Sequence, residues 1–205
     1  MEKRIELKVD SPDIDLKNLP RLLAYKSIGD QAYDYTLHGT RTAALARLVG
    51  RELKLGCDEI ELLATAAMTH DVGKVFLPTE IVLNPGMLTD EEYVRIKKHA
   101  SLGAEFLSRN NCRPEVVDAA LHHHERFDGT GYPDQLKGEN IMLSTRIISV
   151  VDAFDAMLSN DRDHRVMHKN LEDAVAEIDK NSGTQFDPKV VEAFKKALKR
   201  RSITK

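Results

Sequence analysis

Between positions 38 and 152, histidines and aspartates return again and again to the apolar side of a succession of helices, and any fold must dispose of them. His38 lies one turn before the Arg41–Leu45 segment, and His70 with Asp71 ends a helix that starts near Asp58. His99 follows Ile96 by three residues and His123 follows Val116 by seven. His124 follows Ala120 by four and Val117 by seven, and Asp152 follows Ile148 by four. Such spacings put the polar side chain on the same helix face as its apolar predecessor. Imidazoles and carboxylates turned inward are costly unless something satisfies them. A cluster of divalent metal ions does so, because neutral imidazole and carboxylate are its ligands. One HD pair, or one histidine on a helix, carries no such weight. The ordered series does.

From about residue 31 onward the pattern is helical. Ala44, Leu45, Leu48 and Val49 share one face of a helix that fades at Gly56. Asp58 with Glu61 has capping-box spacing ahead of ELLATAAM, and Thr89 with Glu92 repeats it ahead of Tyr93, Ile96, Gly103 and Leu107. Pro114 suits the first turn of a helix carrying Val116, Val117, Ala120 and Leu121. A further helix runs through TRIISVVDAFDAM. Asn170 caps LEDAVAEIDKN with Gly183 as its stop, and Asp187–Pro188 opens a last helix with Val191, Phe194 and Leu198 inside. Residues 1–30 are the least patterned, and the alternation of Ile5, Leu7 and Val9 fits one short strand. The expectation is an all-α domain over 31–205 behind a short, partly extended N-terminal segment over 1–30.

Composition excludes several classes. A net charge of −3 and a pI near 6.2 give no basic face for a DNA or RNA polymer. The basic end KKALKRRSITK reads as a solvated helix terminus. The longest apolar run, LLATAAM at 62–68, is too short to cross a membrane, and MEKRIELKVD has charges where a signal peptide needs an apolar core. Cys57 and Cys112 lack the spacing of a disulfide framework or a zinc–thiolate site. The expected compartment is the cytoplasm.

THDVGK at 69–74 resembles the HD signature of the HD phosphohydrolase superfamily, and HHERFDGTGYP at 123–133 closely resembles the motif that gives the HD-GYP subfamily its name. The similarity continues through LKGENIMLSTRIISVVDAFDAM and SGTQFDPKVVEAF, over roughly residues 31–197. The resemblance implies an HD-domain helical bundle of the HD-GYP type. It also implies a metal-dependent phosphodiesterase that hydrolyses cyclic di-GMP to pGpG, with onward cleavage to GMP left open. The implied ligands are His38, His70, Asp71, His99, His123, His124 and Asp152, around two divalent ions, usually iron or manganese. His38, His70 and Asp152 would serve one ion and His99, His123 and His124 the other, with Asp71 bridging. Lys74, one helical turn beyond His70 and Asp71, is expected to point at the same phosphate and to stabilise the transition state electrostatically. Tyr132, in a loop made tight by Gly129 and Gly131, would meet the substrate, and Arg162 and Arg165 approximate a basic pair that grips the dinucleotide. Glu125 and Arg126 would brace the ligands, while His122, His164 and His168 have no assigned duty.

The chain departs from the family pattern in places. DRDHR stands where members commonly read Asp-Arg-Pro-Tyr-Arg, so Asp163 and His164 replace a proline and an aromatic, and one extra residue separates the segment from Asp152. This leaves the substrate open to another nucleotide, such as a mixed cyclic dinucleotide or a nucleoside phosphate. The YDYTLHGTR stretch around His38 differs from the commoner Tyr-Thr-x-x-His-Ser. Asp34, one turn before His38, stands where the subset with a third metal has a glutamate, so a third ion is a second alternative. A third is a non-catalytic module whose GYP loop docks a partner such as a diguanylate cyclase; non-catalytic relatives typically lose ligands, and all seven are here. Thirty leading residues are too few for the sensory module that most relatives carry, so regulation is expected from another chain such as a sensory partner protein, from substrate supply or from the redox state of the metal.

Overall fold

The computed structural model describes residues 35–82, 84, 86–158 and 169–203. The N-terminal strand, the boundary near residue 30, Asp34, Arg162, Asp163, His164, Arg165 and His168 lie outside the described residues. What is described is helical: α1 (Tyr35–Glu52), α2 (Cys57–Thr69), a 3-10 turn (Val72–Phe76), α3 (Thr79–Val82), α4 (Asp90–Arg109) and α5 (Pro114–His122). After a short 3-10 turn (Gly138–Asn140) come α6 (Leu143–Leu158), α7 (Leu171–Lys180) and α8 (Pro188–Ile203). The only β pairing among the described residues is an isolated bridge between Ser182 and Phe186. None of these helices is long and apolar enough to cross a membrane.

Helix α6 is the axis of the bundle. Thr145, Ile147, Ile148, Val150, Val151, Phe154, Asp155 and Met157 are all buried, so the helix is enclosed around most of its circumference by the others. Helices α1, α2, α5, α7 and α8 supply the wrapping, and α4 lies across α5 and the first 3-10 turn. The core is made of Ala43, Ala46 and Val49 from α1, Leu63, Ala66 and Ala67 from α2, Phe106 and Leu107 from α4, and Phe194 from α8. Alanines dominate the faces of α1 and α2, which lets their backbones approach closely.

Most helix ends fall where the sequence signals place them. Thr89 accepts from the Glu92 amide while Glu92 accepts from the Thr89 amide, Asn170 accepts from the Asp173 amide, and Pro114 and Pro188 open their helices. The start of α2 differs. The reciprocal carboxylate is Glu59, accepting from the Gly56 amide at 2.7 Å, so the helix begins at Cys57 and Asp58 lies inside its first turn. Glu61 instead makes a two-point ion pair with Arg47 of α1.

Candidate metal centre

Helix α2 stops at Thr69, and the chain turns sharply through His70 and Asp71 into the 3-10 turn. The turn sits directly on α4: a Cβ on Gly73 would lie 1.8 Å from the His99 carbonyl oxygen, so only glycine permits this approach. The same approach carries His99 against Asp71. His38 projects from the start of α1 and Asp152 from α6. His123 and His124 lie just past the end of α5, whose last residue is His122 and whose cap is His123. The chain leaves the helix there because Glu125 N–H bonds back to the His122 carbonyl in a tight turn.

All seven side chains converge, as two sets of four donors that share Asp71. One set is His38, His70, Asp71 and Asp152; the other is Asp71, His99, His123 and His124. In the first, His38 Nε2 lies 3.3 Å from His70 Nε2 and 3.2 Å from Asp152 Oδ1, and His70 Nε2 lies 3.3 Å from Asp152 Oδ1. In the second, His99 Nε2 lies 3.1 Å from His123 Nε2 and 3.2 Å from His124 Nε2. Asp71 divides its oxygens between them. Oδ2 is 3.9 Å and 3.6 Å from His38 and His70, and Oδ1 is 3.5 Å and 3.6 Å from His99 and His123.

These spacings suit cations. Donors about 2.1 Å from one ion lie about 3.0 Å apart at right angles and about 3.4 Å apart at the tetrahedral angle. The tautomers point the same way. His70 Nδ1 donates to the Ala67 carbonyl at 2.7 Å, His99 Nδ1 to Ile96 at 2.6 Å, and His123 Nδ1 to Ala119 at 3.0 Å. His38 Nδ1 donates to Asp155 Oδ2 at 2.7 Å. With the proton on Nδ1, each Nε2 presents a lone pair, so the facing His38–His70 and His99–His123 nitrogens cannot bond to one another. A positive centre between them removes the conflict.

The electrostatics agree with that use. Burial pushes His99 down to about 3, against the pull of Asp71, and lowers His123 and, strongly, His124 in the same way. These imidazoles are neutral at pH 7, the form that ligates metal. Burial alone would raise the Asp71 carboxyl. The Lys74 ammonium at 2.5 Å, with His70, His123 and His99 behind it, outweighs burial and holds the group well below the usual carboxylate range.

Around the donors lies a layer that sequence reasoning missed. Asp155, buried on α6, orients His38 and is itself gripped by Arg41 through Nε at 2.7 Å and Nη2 at 3.0 Å. Asp155 sits three residues after Asp152 and Arg41 three after His38, so helix periodicity was the available signal. The expectation for Glu125 and Arg126 is corrected: their side chains hold the GYP loop. Glu125 Oε1 accepts from the Asp134 amide, and Arg126 bonds Thr130 and Asp128. A Cβ on Gly131 would lie 2.5 Å from Glu125 Cα and 2.6 Å from the His124 carbonyl, so the loop folds tightly back onto the histidine turn. Tyr132 thereby stacks on His124 with ring centroids 4.8 Å apart and an interplanar angle of 24°. His122 bridges Asp118 at 2.7 Å and Asp134 at 3.0 Å, tying α5 to the loop, and Thr145 of α6 donates to Asp118.

A bundle of this shape, closed around clustered imidazoles and carboxylates, defines a helical domain able to hold divalent cations. The sequence matches the HD domain family model over residues 20–190, and the chain belongs to that family. It is 39% identical over 181 residues to the cyclic di-GMP phosphodiesterase response regulator RpfG of Xanthomonas campestris pv. campestris, covering 87% of this chain and 46% of that protein. It is 35% identical over 176 residues to 3'3'-cGAMP-specific phosphodiesterase 3 of Vibrio cholerae, covering 85% of this chain and 38% of that protein. The chain thus spans less than half the length of these curated relatives. Among solved structures, Bd1817, an HDG"Y"P protein from Bdellovibrio bacteriovorus, has the same fold with a TM-score of 0.68 at 19% identity, covering 89% of this chain and 58% of that one.

Proposed function

We propose that this chain is the catalytic domain of an HD-GYP-type phosphodiesterase, running from about residue 31, that opens cyclic di-GMP to the linear pGpG. The pair of four-donor sets joined through the two oxygens of Asp71 carries this reading, and the activity named for the Xanthomonas relative supports it. His38, His70 and Asp152 are the ligands proposed on one side, His99, His123 and His124 on the other, with Asp71 common to both. A donor set of imidazole and carboxylate without thiolate is compatible with iron or manganese, the ions that the resemblance implies. Two ions so held would supply positive charge to the phosphate oxygens and acidify water.

The chain's own groups do the rest. Lys74, half-buried with its ammonium beside Asp71, adds a positive charge that favours the negative charge developing on the phosphate oxygens. Tyr132, stacked on His124, is the loop residue proposed to meet the substrate. The tight Gly131 turn keeps that ring in place. Incubating anaerobically prepared, iron(II)- or manganese-loaded protein with cyclic di-GMP and separating the products tests the proposal: pGpG is expected. His70→Ala/Asp71→Ala is expected to abolish its formation. Absence of both pGpG and GMP with iron and with manganese in the wild type overturns the assignment.

A second substrate has support from the V. cholerae relative, whose name specifies 3'3'-cGAMP. Offering both cyclic dinucleotides in one reaction and comparing their rates of loss decides between them.

A further inference from the structure

Lys97 lies on α4, one turn after Tyr93 and two residues before His99. Its ammonium is 4.3 Å from the centroid of the Tyr93 ring and 4.8 Å from that of Tyr132. The Tyr132 ring stacks on His124, so a continuous line of contacts runs from the cation through one aromatic layer to the proposed ligands. Several other lysines pair with carboxylates: Lys74 with Asp71, Lys169 with Glu177, Lys189 with Glu139 and Lys195 with Asp179. Among the described residues no carboxylate pairs with Lys97. A cation held by ring faces spends its charge on quadrupoles and keeps its N–H donors for an incoming anion.

We propose that Lys97 binds the second phosphate of a cyclic dinucleotide, the one not being cleaved, and so selects for substrates that carry two. This rests on the phosphodiesterase reading above. A cyclic dinucleotide has two phosphodiesters on opposite sides of its ring. With one at the donor sets beside Lys74, the other needs a second cation, and Lys97 lies against the Tyr132 ring that stacks on His124. An ammonium is a compact charge with three donors, suited to non-bridging phosphate oxygens. Tyr93 and Tyr132 position it and would flank a nucleotide that reaches it.

The test compares wild type, K97M and K97R for equilibrium binding of two ligands, with melting temperature as a check on folding. Cyclic di-GMP carries two guanines and two phosphates; the dinucleoside monophosphate GpG carries two guanines and one phosphate. Loss of a charge-assisted hydrogen bond is expected to raise the Kd of K97M for cyclic di-GMP about tenfold or more, with KM of the metal-loaded enzyme moving in parallel. K97R should stay within about threefold of wild type, and the Kd of K97M for GpG should rise less than about twofold. Equal losses on both ligands place Lys97 on a base and overturn the proposal, as does an unchanged Kd for cyclic di-GMP or its failure to bind wild type. If wild type binds cyclic di-GMP without cleaving it, the catalytic reading fails while the binding comparison still decides the role of Lys97.

Discussion

His38 shows how much of a binding site is set by residues that do not belong to it. Its Nε2 faces the first donor set only because Asp155 takes the proton on Nδ1, and Asp155 stays charged because the Arg41 guanidinium clamps both its oxygens. Burial raises the Asp155 carboxyl, but the bonds from His38 and Arg41 outweigh it and leave the group below its ordinary value. Asp155→Asn keeps the shape and removes the charge, so His38 loses its fixed tautomer. Metal affinity is expected to fall about 10–100-fold, read by competition with a chromophoric chelator, while the helical circular dichroism stays near wild type. A wild-type metal affinity would show that His38 is oriented by other means. The seven donors are legible in the sequence because each is in register with an apolar face or belongs to a motif. For Asp155 and Arg41 periodicity marks only the shared helix face, and their roles depend on α1 and α6 lying side by side across more than a hundred residues of chain.

At the scale of elements, caps and breakers are local chemistry and read out well: Thr89, Asn170, Pro114 and Pro188 all mark the ends they promise. Errors arise where two local signals compete. Glu59 and Glu61 each offer a partner for the α2 start, and the choice is made by Arg47 of α1, which takes Glu61. Close approaches of elements are less legible, because a glycine in sequence says nothing about what faces it. Gly73 is the clearest case. Ala at this position would drive its methyl into the His99 carbonyl, and backbone on both sides cannot rotate away. Gly73→Ala is expected to destabilise by about 3 kcal/mol and to push α4, with His99, off the second donor set. Gly103→Ala meets Gly73 at 3.1 Å, a contact a small shift relieves, and should cost only about 1 kcal/mol. Thermal melts with metal titrations on the two variants check this, and equal losses would contradict it.

At the scale of the molecule, the all-α architecture follows from period, since each helix repeats its apolar residues at helical spacing and α6 is buried on most of its sides. Ionisation couples that architecture to solvent, with opposite signs on two sides of pH 6.5. His99 falls from 6.5 in the unfolded chain to about 3 in the fold, because burial penalises its charge. Above pH 6.5 it is neutral in both states and contributes nothing. As pH falls from about 6.5 toward 3, the unfolded chain binds a proton that the fold refuses, and stability is lost; His123 and His124 act in the same direction. His122 does the reverse. The Asp118 bond, opposed by burial and helped by Asp134, raises it to about 9. Its contribution is complete below 6.5 and is lost as pH rises toward 9. Metal-free protein should therefore show a stability maximum near pH 6.5 in urea titrations taken from pH 5 to 9. His122→Asn should flatten the alkaline arm and leave the acid arm in place. Added metal should steepen the acid arm, because protons and cations compete for the same Nε2 lone pairs. An alkaline arm that survives in His122→Asn would mean that the Asp118–His122–Asp134 bridge does not couple α5 to the loop in solution.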